Sequence, residues 1–466
     1  MKTLGIYAAI TALLLLALTL GYFAMDWRSP NFAGYRTVAL VVAVAVALLI
    51  VLVAVAAFRR GRAGRWHPGA SGLAVLAGVI AMAALGQVIV AEGRFHWMRY
   101  AVLNSDPEKL EALGRHFIVG YRDREQVSAL GRRKAVAGFF ITRHNVEGMD
   151  ESAIRQEIRW LRYSLPNPDA RPVWIATDQE GGGVSRLSPP LPQQPALGRV
   201  LEERAPGSTT ESTSLAYGRR QGEGLASLGV NLNLSPVVDI DHQVENPADQ
   251  FTRISTRALS DDPAVVTEAA GAYCQGLAAF GVQCTLKHFP GIGRVFHDTH
   301  VERAVLSESP DQLRQSDWLP FRRLAGSEPP PWIMLSHVIL AQVDPDRPVS
   351  TSAPVVQGVL RDQWGFQGVL ITDDFCMRAV HDAPGGVGQA TVDALNAGVD
   401  IILVSFDPDQ FYPAMYALLQ AEREGTLDRE ALRRSKQRLR ASGSLDGQDG
   451  QSVFPPATPE AIPPSR

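Results

Sequence analysis

The sequence predicts an α/β protein, a (βα)8 TIM-type barrel preceded by three transmembrane α-helices, on the strength of three observations. The first hundred of its 466 residues are almost free of acidic groups and rich in Ala, Leu and Val. From about Ser105 onward, short apolar runs alternate with longer amphipathic stretches, the pattern of repeated βα units around a parallel sheet. Several of those runs end in a charged or imidazole side chain, as barrel strands do where they open on the C-terminal rim. The formal net charge of −3 lacks the dense cationic face that nucleic acid demands, so polynucleotide substrates are set aside.

The N-terminal region comes first. Uncharged apolar runs at residues 4–25, 37–58 and 70–91 each reach the ~20 residues that a helix needs to cross the hydrocarbon core. Trp27, Tyr35, Trp66, Trp97 and Tyr100 flank them, where amphipathic rings sit at headgroup level. Buried core helices are the competing reading, but three adjacent runs of this length are rare in soluble domains. Arg59, Arg60, Arg62 and Arg65 crowd the second connection, against Arg28 and Arg36 in the first. That asymmetry places the second connection in the cytoplasm and everything beyond Arg94 on the periplasmic or extracellular side of the cell membrane. No small-x-small cleavage site stands near residues 23–27, which argues against a signal peptide. Residues 1–100 are therefore expected to be a lipid-bilayer anchor, 105–442 the catalytic barrel, and the Gly-, Pro- and Ser-rich 443–466 a disordered tail.

Within the barrel region the strand candidates are residues 135–142, 173–177, 230–234, 282–286, 332–335, 369–372 and 401–404. Helical patterns at 151–164, 212–228, 263–280, 310–324 and 387–397 lie between them. A long alternation of this kind closes most economically into a barrel; a doubly wound open sheet is the alternative, because this list stops short of eight strands. The three cysteines, Cys274, Cys284 and Cys376, show no CxxC spacing and no adjacent His pair. They read as small buried hydrophobes, without a disulfide or a metal role.

Polar groups follow the apolar runs in VWIATDQE, CTLKHFPG, IMLSHV and VLITDDF, so Asp178, Lys287, His288, His337 and Asp373 converge on one rim. Adjacent side chains near a strand end point in opposite directions, so only one of Asp373 and Asp374 enters the barrel mouth as a candidate nucleophile. The bland alternative is an aspartate capping the next helix. KHFPGIG leads into a loop that ends His297-Asp298-Thr299-His300. Asp298-x-His300 lets a carboxylate orient an imidazole and support it as a proton donor and acceptor, although a polar surface loop also holds D-x-H by chance. DQEGGGVSR carries Asp178, a glycine run and Arg186; it lacks the Lys-Ser/Thr ending of a phosphate loop and the spacing of a dinucleotide fingerprint, so nucleotide binding is rejected. Asp178 and Arg186 are better placed to grip neutral hydroxyls.

Together DQEGG, KHFPG-x-G, D-[ST]-H and [ST]-DD, in that order, resemble the family 3 glycoside hydrolases, in particular their bacterial β-N-acetylglucosaminidase branch. The resemblance covers residues 105–442 and implies a retaining hydrolase releasing terminal β-N-acetylhexosamine from a carbohydrate substrate such as a cell-wall or envelope glycan. It implies Asp373 as nucleophile, with Asp374 a bystander, and Asp298 and His300 as the acid/base dyad. Asp178, Arg186, Arg257, Lys287, His288 and His337 fall at substrate-binding positions, and no metal or organic cofactor is implied. Three departures are visible: Ile292 where the family usually has His, Gly183 where it has Arg, and Thr299 where it often has Ser. Gly291 and Gly293 stand where hinges would let the dyad loop move. Two other readings share these residues: a phosphorylase of the same family, since a histidine does not repel an incoming phosphate as a carboxylate does, and a non-catalytic glycan-binding membrane protein.

Overall fold

The computed structural model describes residues 2–64, 67–165 and 172–442, in two compact units, Met1–Val102 and Leu103–Arg466. Arg65 and Trp66, counted above in the basic cluster and the aromatic belt, lie outside the described residues, as does the 443–466 tail. The first unit consists of α1 (Lys2–Met25), α2 (Arg36–Arg62) and α3 (Pro68–Leu103), and all three are long and apolar enough to cross a membrane. Alanines dominate their mutual contacts: Ala17, Ala47, Ala77 and Ala81 with Ile50 in one cluster, Ala57, Ala70 and Ala74 with Ile10 in another, and Ala24, Ala43 and Ala84 with Trp27 and Val88 in a third. Leu15, Val41, Leu52, Val79 and Ile89 point outward instead. Mostly small side chains inside and many large apolar ones outside invert the usual order of a water-soluble bundle. Glu92 on α3 accepts hydrogen bonds from Trp27 Nε1 at 2.7 Å and Arg28 Nη1 at 3.1 Å, so its charge is matched within the unit.

The second unit is a closed barrel of eight parallel strands: β1 (Phe117–Val119), β2 (Gly138–Phe140), β3 (Trp174–Thr177), β4 (Leu232–Asn233), β5 (Gln283–Phe289), β6 (Trp332–Leu335), β7 (Leu370–Asp374) and β8 (Ile401–Val404). Each pairs with the next, and Phe117 lies opposite Ile402 where β8 closes on β1. Closure excludes the open doubly wound sheet. The strand missing from the sequence reading is β1: three residues buried throughout give neither length nor alternation to detect. The barrel interior is filled by residues two apart on successive strands, Trp174 and Ala176, Leu232 and Leu234, Trp332 and Met334, Val369 and Ile371, Ile401 and Leu403. Trp174 and Trp332 meet edge to face across it, their centroids 4.8 Å apart. Each such fully buried large side chain contributes roughly 1.5–3 kcal/mol relative to exposure.

Helices fill the connections, their starts marked by side-chain caps. Asp150 accepts from Ala153 N ahead of the helix Glu151–Ser164, and Asp262 accepts from Ala264 N ahead of Pro263–Ala278. The single helix expected at 310–324 is two, Pro310–Gln315 and Leu319–Leu324; Pro320, with no N–H to donate, suits the first turn of a new helix better than the interior of an old one. Phe411–Glu424 and Arg429–Ala441 complete the circuit after β8. The cysteine reading needs correction. Cys274 and Cys284 form a disulfide, with Cα atoms 5.4 Å apart, because the turn at Gly281 (φ +70°) folds the chain back and starts β5 beside the preceding helix. Only Cys376 is a buried free thiol.

Candidate active site

The period of two that fills the barrel also selects what reaches its mouth. Trp174 and Ala176 face inward on β3, so Asp178 is next on that side; Val369 and Ile371 face inward on β7, and Asp373 follows them. Its neighbour Asp374 faces away and is saturated. Asp374 Oδ1 accepts from Cys376 N and Ser405 N, both at 3.0 Å, and Oδ2 accepts from Ser405 Oγ at 2.6 Å and Phe406 N at 3.0 Å. This carboxylate staples the end of β7 to the end of β8. Asp373 Oδ1 accepts from Asp374 N at 2.8 Å. Burial pushes the Asp373 carboxyl up, but the imidazoles of His288, His337 and His300 and that N–H more than offset it, holding it below the ordinary carboxylate range. His337 is committed within the protein: Nδ1 pairs with Ser350 Oγ at 2.8 Å and Nε2 with the Asp374 carbonyl at 3.1 Å. Its position behind the aspartate turn is that of a buttress, with neither ring nitrogen left over for a sugar hydroxyl.

Beside the aspartates lies a buried charge network. Lys287 Nζ sits 2.9 Å from Asp178 Oδ1 and 2.6 Å from Glu180 Oε1. Arg257 holds Glu180 through two bonds, Nε to Oε2 at 2.9 Å and Nη2 to Oε1 at 2.7 Å. Burial alone would raise the Glu180 carboxyl, yet the charges of Arg257 and Lys287 hold it well below its ordinary range. The same acids raise Lys287 despite its burial, so the ammonium keeps its charge. His288 Nδ1 pairs with the fully buried Asp239 at 2.7 Å, and Asp239 also accepts from Ile292 N at 2.8 Å. His288 Nε2 is therefore the nitrogen left to face the mouth, 3.5 Å from Arg257 Nη2. Arg186 is tied in through its backbone N–H, 3.1 Å from the Asp178 carbonyl, while its Nε has no hydrogen-bond partner among the described residues.

The dyad is assembled as its spacing predicts. His300 Nδ1 lies 3.2 Å from Asp298 Oδ1, which also accepts from His300 N at 3.0 Å. Asp298 is buried, which pushes its carboxyl up, but hydrogen bonds from His300, Thr252 and the Phe251 backbone overcome this and hold it well below the carboxylate range. The His300 ring is 39% exposed, so Nε2 is open to the mouth while Nδ1 is engaged. Gly291 and Gly293, the expected hinges, are close-packing positions. A Cβ on Gly293 would meet the Ile240 carbonyl oxygen at 1.8 Å, and Gly291 has φ +98° with Asp317 Cβ 2.7 Å from where its own Cβ would stand.

Glu180 and Asp239 belong to the site but were not singled out from the sequence. Glu180 was visible within DQEGG as its second acid, but it lies in the hairpin strand Gln179–Gly181 beyond the barrel strand, where the apolar run no longer says which way a side chain points. Asp239 ends PVVD, an apolar run too irregular to read as a strand. Among the described residues no group of three or more His, Cys, Asp or Glu side chains is arranged to hold a metal ion.

Residues 103–441 match the model of the glycosyl hydrolase family 3 N-terminal domain. The chain belongs to this family of glycosidases. A β-hexosaminidase of Stenotrophomonas maltophilia (strain R551-3) is 36% identical over 290 residues, covering 61% of this chain and 80% of the relative. Among solved structures, a family 3 glycosyl hydrolase from Mycobacterium smegmatis superposes with TM-score 0.63 at 29% identity, covering 73% of this chain and 98% of that one. A β-N-acetylhexosaminidase from Beutenbergia cavernae gives TM-score 0.63 at 26% identity, covering 73% and 99%.

The departures from the family 3 pattern take a physical form in this structure. Gly183 is at the exposed tip of the hairpin 179–185, with nothing within 4 Å of an added Cβ, so the position has room for a longer side chain and simply lacks one. Ile292 is buried, and its backbone serves Asp239. Thr299 is buried with its hydroxyl 3.2 Å from that of Thr252, a contact that a serine would also make.

Proposed function

We propose that this glycosidase is a retaining β-N-acetylhexosaminidase, taking terminal non-reducing β-linked N-acetylhexosamine, N-acetylglucosamine first, from an envelope glycan. The observation that carries the reading is the division of labour at the rim. Asp374 has every lone-pair direction used, Asp373 is ionised and faces the mouth, and His300 is close enough for its charge to act on Asp373. An Asp373 oxygen attacks the anomeric carbon as the bond to the leaving oxygen breaks; that oxygen takes its electron pair and receives the proton from His300 Nε2. Water then gives a proton back to His300 and displaces Asp373, so two inversions return the β configuration. Lys287, Asp178, His288 and Arg186 line the approach and hold the ring hydroxyls, while Glu180, Arg257 and Asp239 hold those groups in turn.

Hydrolysis of a chromogenic β-N-acetylglucosaminide by the full chain, with and without phosphate, tests this. Asp373→Ala is expected to lower kcat by on the order of 10⁴-fold or more, and His300→Ala by roughly 10²–10⁴-fold where the leaving group needs a proton. Release of sugar phosphate only when phosphate is added would make the enzyme a phosphorylase; no turnover by folded protein would leave a glycan-binding role.

The anchor reading extends the proposal to place. With three spans and Arg59, Arg60 and Arg62 inside, the N-terminus and second connection are cytoplasmic, and the first connection and barrel are outside. The Trp27 and Arg28 bonds to Glu92 join the two segments that this arrangement puts at the same membrane face. The Cys274–Cys284 disulfide suits a compartment that does not reduce it. Protease added to intact spheroplasts is expected to cut the barrel; protection until the membrane is permeabilised would reverse the orientation.

A further inference from the structure

The segment 241–257 runs beside the dyad loop and is joined to it at three places. Asp317 pairs with His242 Nε2 and accepts from Arg294 Nε, each at 2.9 Å, linking the two loops near their origins. Asn246 Nδ2 donates to the Phe296 carbonyl at 2.8 Å. The third junction is at the dyad itself. Gln250 N and Phe251 N both donate to Asp298 Oδ2 at 3.1 Å, and Thr252 Oγ1 donates to Oδ1 at 2.9 Å. Thr252 is only 3% exposed, and its hydroxyl oxygen also accepts from Thr299 N at 3.1 Å and lies 3.2 Å from His300 Nδ1. Its carbonyl accepts from Arg257 Nη1 at 2.7 Å, so one residue joins the sugar-side charge network to the dyad.

We propose that Thr252 is a positioning residue for proton transfer. With both Asp298 oxygens bound from this segment, the carboxylate plane cannot rotate, and the Thr252 hydroxyl bears on the same imidazole edge as Asp298. Together they set the direction of His300 Nε2. A carboxylate alone fixes one point of a ring; a second fixed atom at the same nitrogen fixes its tilt. This rests on His300 being the acid, and the test separates the two claims.

The measurement is kcat/KM of the full chain on two β-N-acetylglucosaminides, one with a dinitrophenyl leaving group that departs unassisted and one with an alkyl or sugar leaving group that needs a proton. Thr252→Val is expected to lose on the order of 10²-fold on the second and less than about 3-fold on the first, while Thr252→Ser stays within about 3-fold of wild type on both. A merely structural threonine would lower both substrates alike; that outcome, or no loss on either, overturns the proposal. Thr252→Ala repeats the test without a methyl facing Thr299, and failure of both hydroxyl-free variants to fold would equally make the residue structural. His300→Ala is run alongside. If it shows no dependence on the leaving group, the assignment of the acid fails; if it does and Thr252→Val does not, only the present inference fails.

Discussion

At the C-terminal rim Asp373 accepts one hydrogen bond from the backbone, Asp374 N, and lies within the field of three imidazoles; at the opposite end of the same barrel Asp400 has none of its acceptor capacity left. Asp400 Oδ2 accepts from Arg361 Nη2 at 2.7 Å and Leu370 N at 2.8 Å, and Oδ1 accepts from Arg438 Nε at 3.0 Å and Nη2 at 2.8 Å. Asp400 is buried and Asp373 half-buried, and both are held below the ordinary carboxylate range. A shifted carboxyl therefore does not mark a reacting group; what marks it is acceptor capacity left free in the mouth. The cavity at the far end, bordered by Arg115, Lys134, Trp174, Lys436 and Arg440, makes the same point: it has cations and an apolar floor but no carboxylate among its described lining residues. Asp374 carries the comparison down to adjacent residues on one strand.

The comparison is sharpest at Asp400. Asp400→Ala would leave Arg361 and Arg438 with backbone carbonyls but without their carboxylate partner, and is expected to cost about 3–5 kcal/mol in denaturant unfolding while the folded fraction keeps its turnover. Asp373→Ala is expected to do the reverse, and equal effects of the two on activity per folded molecule would break the distinction. Glu180→Gln tests an intermediate case, since Lys287 retains Asp178 but Arg257 loses its charged partner. A fall in kcat/KM of roughly 10- to 100-fold, with a smaller stability loss than Asp400→Ala, is expected; a pure stability loss would move Glu180 into the structural class.

An effect confined to acid pH is expected at His116, just before β1, whose Nδ1 pairs with the Asp400 carbonyl at 2.8 Å. Burial lowers its pKa from 6.5 to about 4. The folded state thus disfavours the proton that the unfolded chain takes up near 6.5, so this contribution is intact above that pH and is lost as pH falls toward 4, amounting to about 3 kcal/mol. His116→Gln should flatten the fall of the unfolding midpoint across that window; an unchanged slope would show that other groups set it.

Much of the rim was legible because a barrel writes its chemistry at strand ends. Asp178, Lys287, His288 and Asp373 each follow an apolar run, and the D-x-H spacing carried its own geometry. Thr252, Glu180 and Asp239 were not legible in the same way. Thr252 lies in a polar stretch with no periodicity, and Asp239 acts through the backbone of a loop more than fifty residues later in the chain. The disulfide was missed for a related reason: ten residues of separation say nothing until a helix and a strand are laid side by side. Strand β1 was missed because a three-residue buried segment has no period.

By itself the sequence determined the three long apolar helices, the alternation that becomes βα units, and the identity of the groups at most strand ends, because these depend on neighbours within a few residues and on the periods 2 and 3.6. Only the tertiary structure decided which of two adjacent aspartates is free, which nitrogen of His288 and His300 faces the mouth, that Glu180 holds Lys287 and Arg257 together, and that segment 241–257 clamps Asp298. Those are questions of which donor finds which acceptor across the barrel. They are settled by closure of the sheet, which brings together residues far apart in the chain, as in the His288–Asp239 and Lys287–Asp178 pairs separated by 49 and 109 residues.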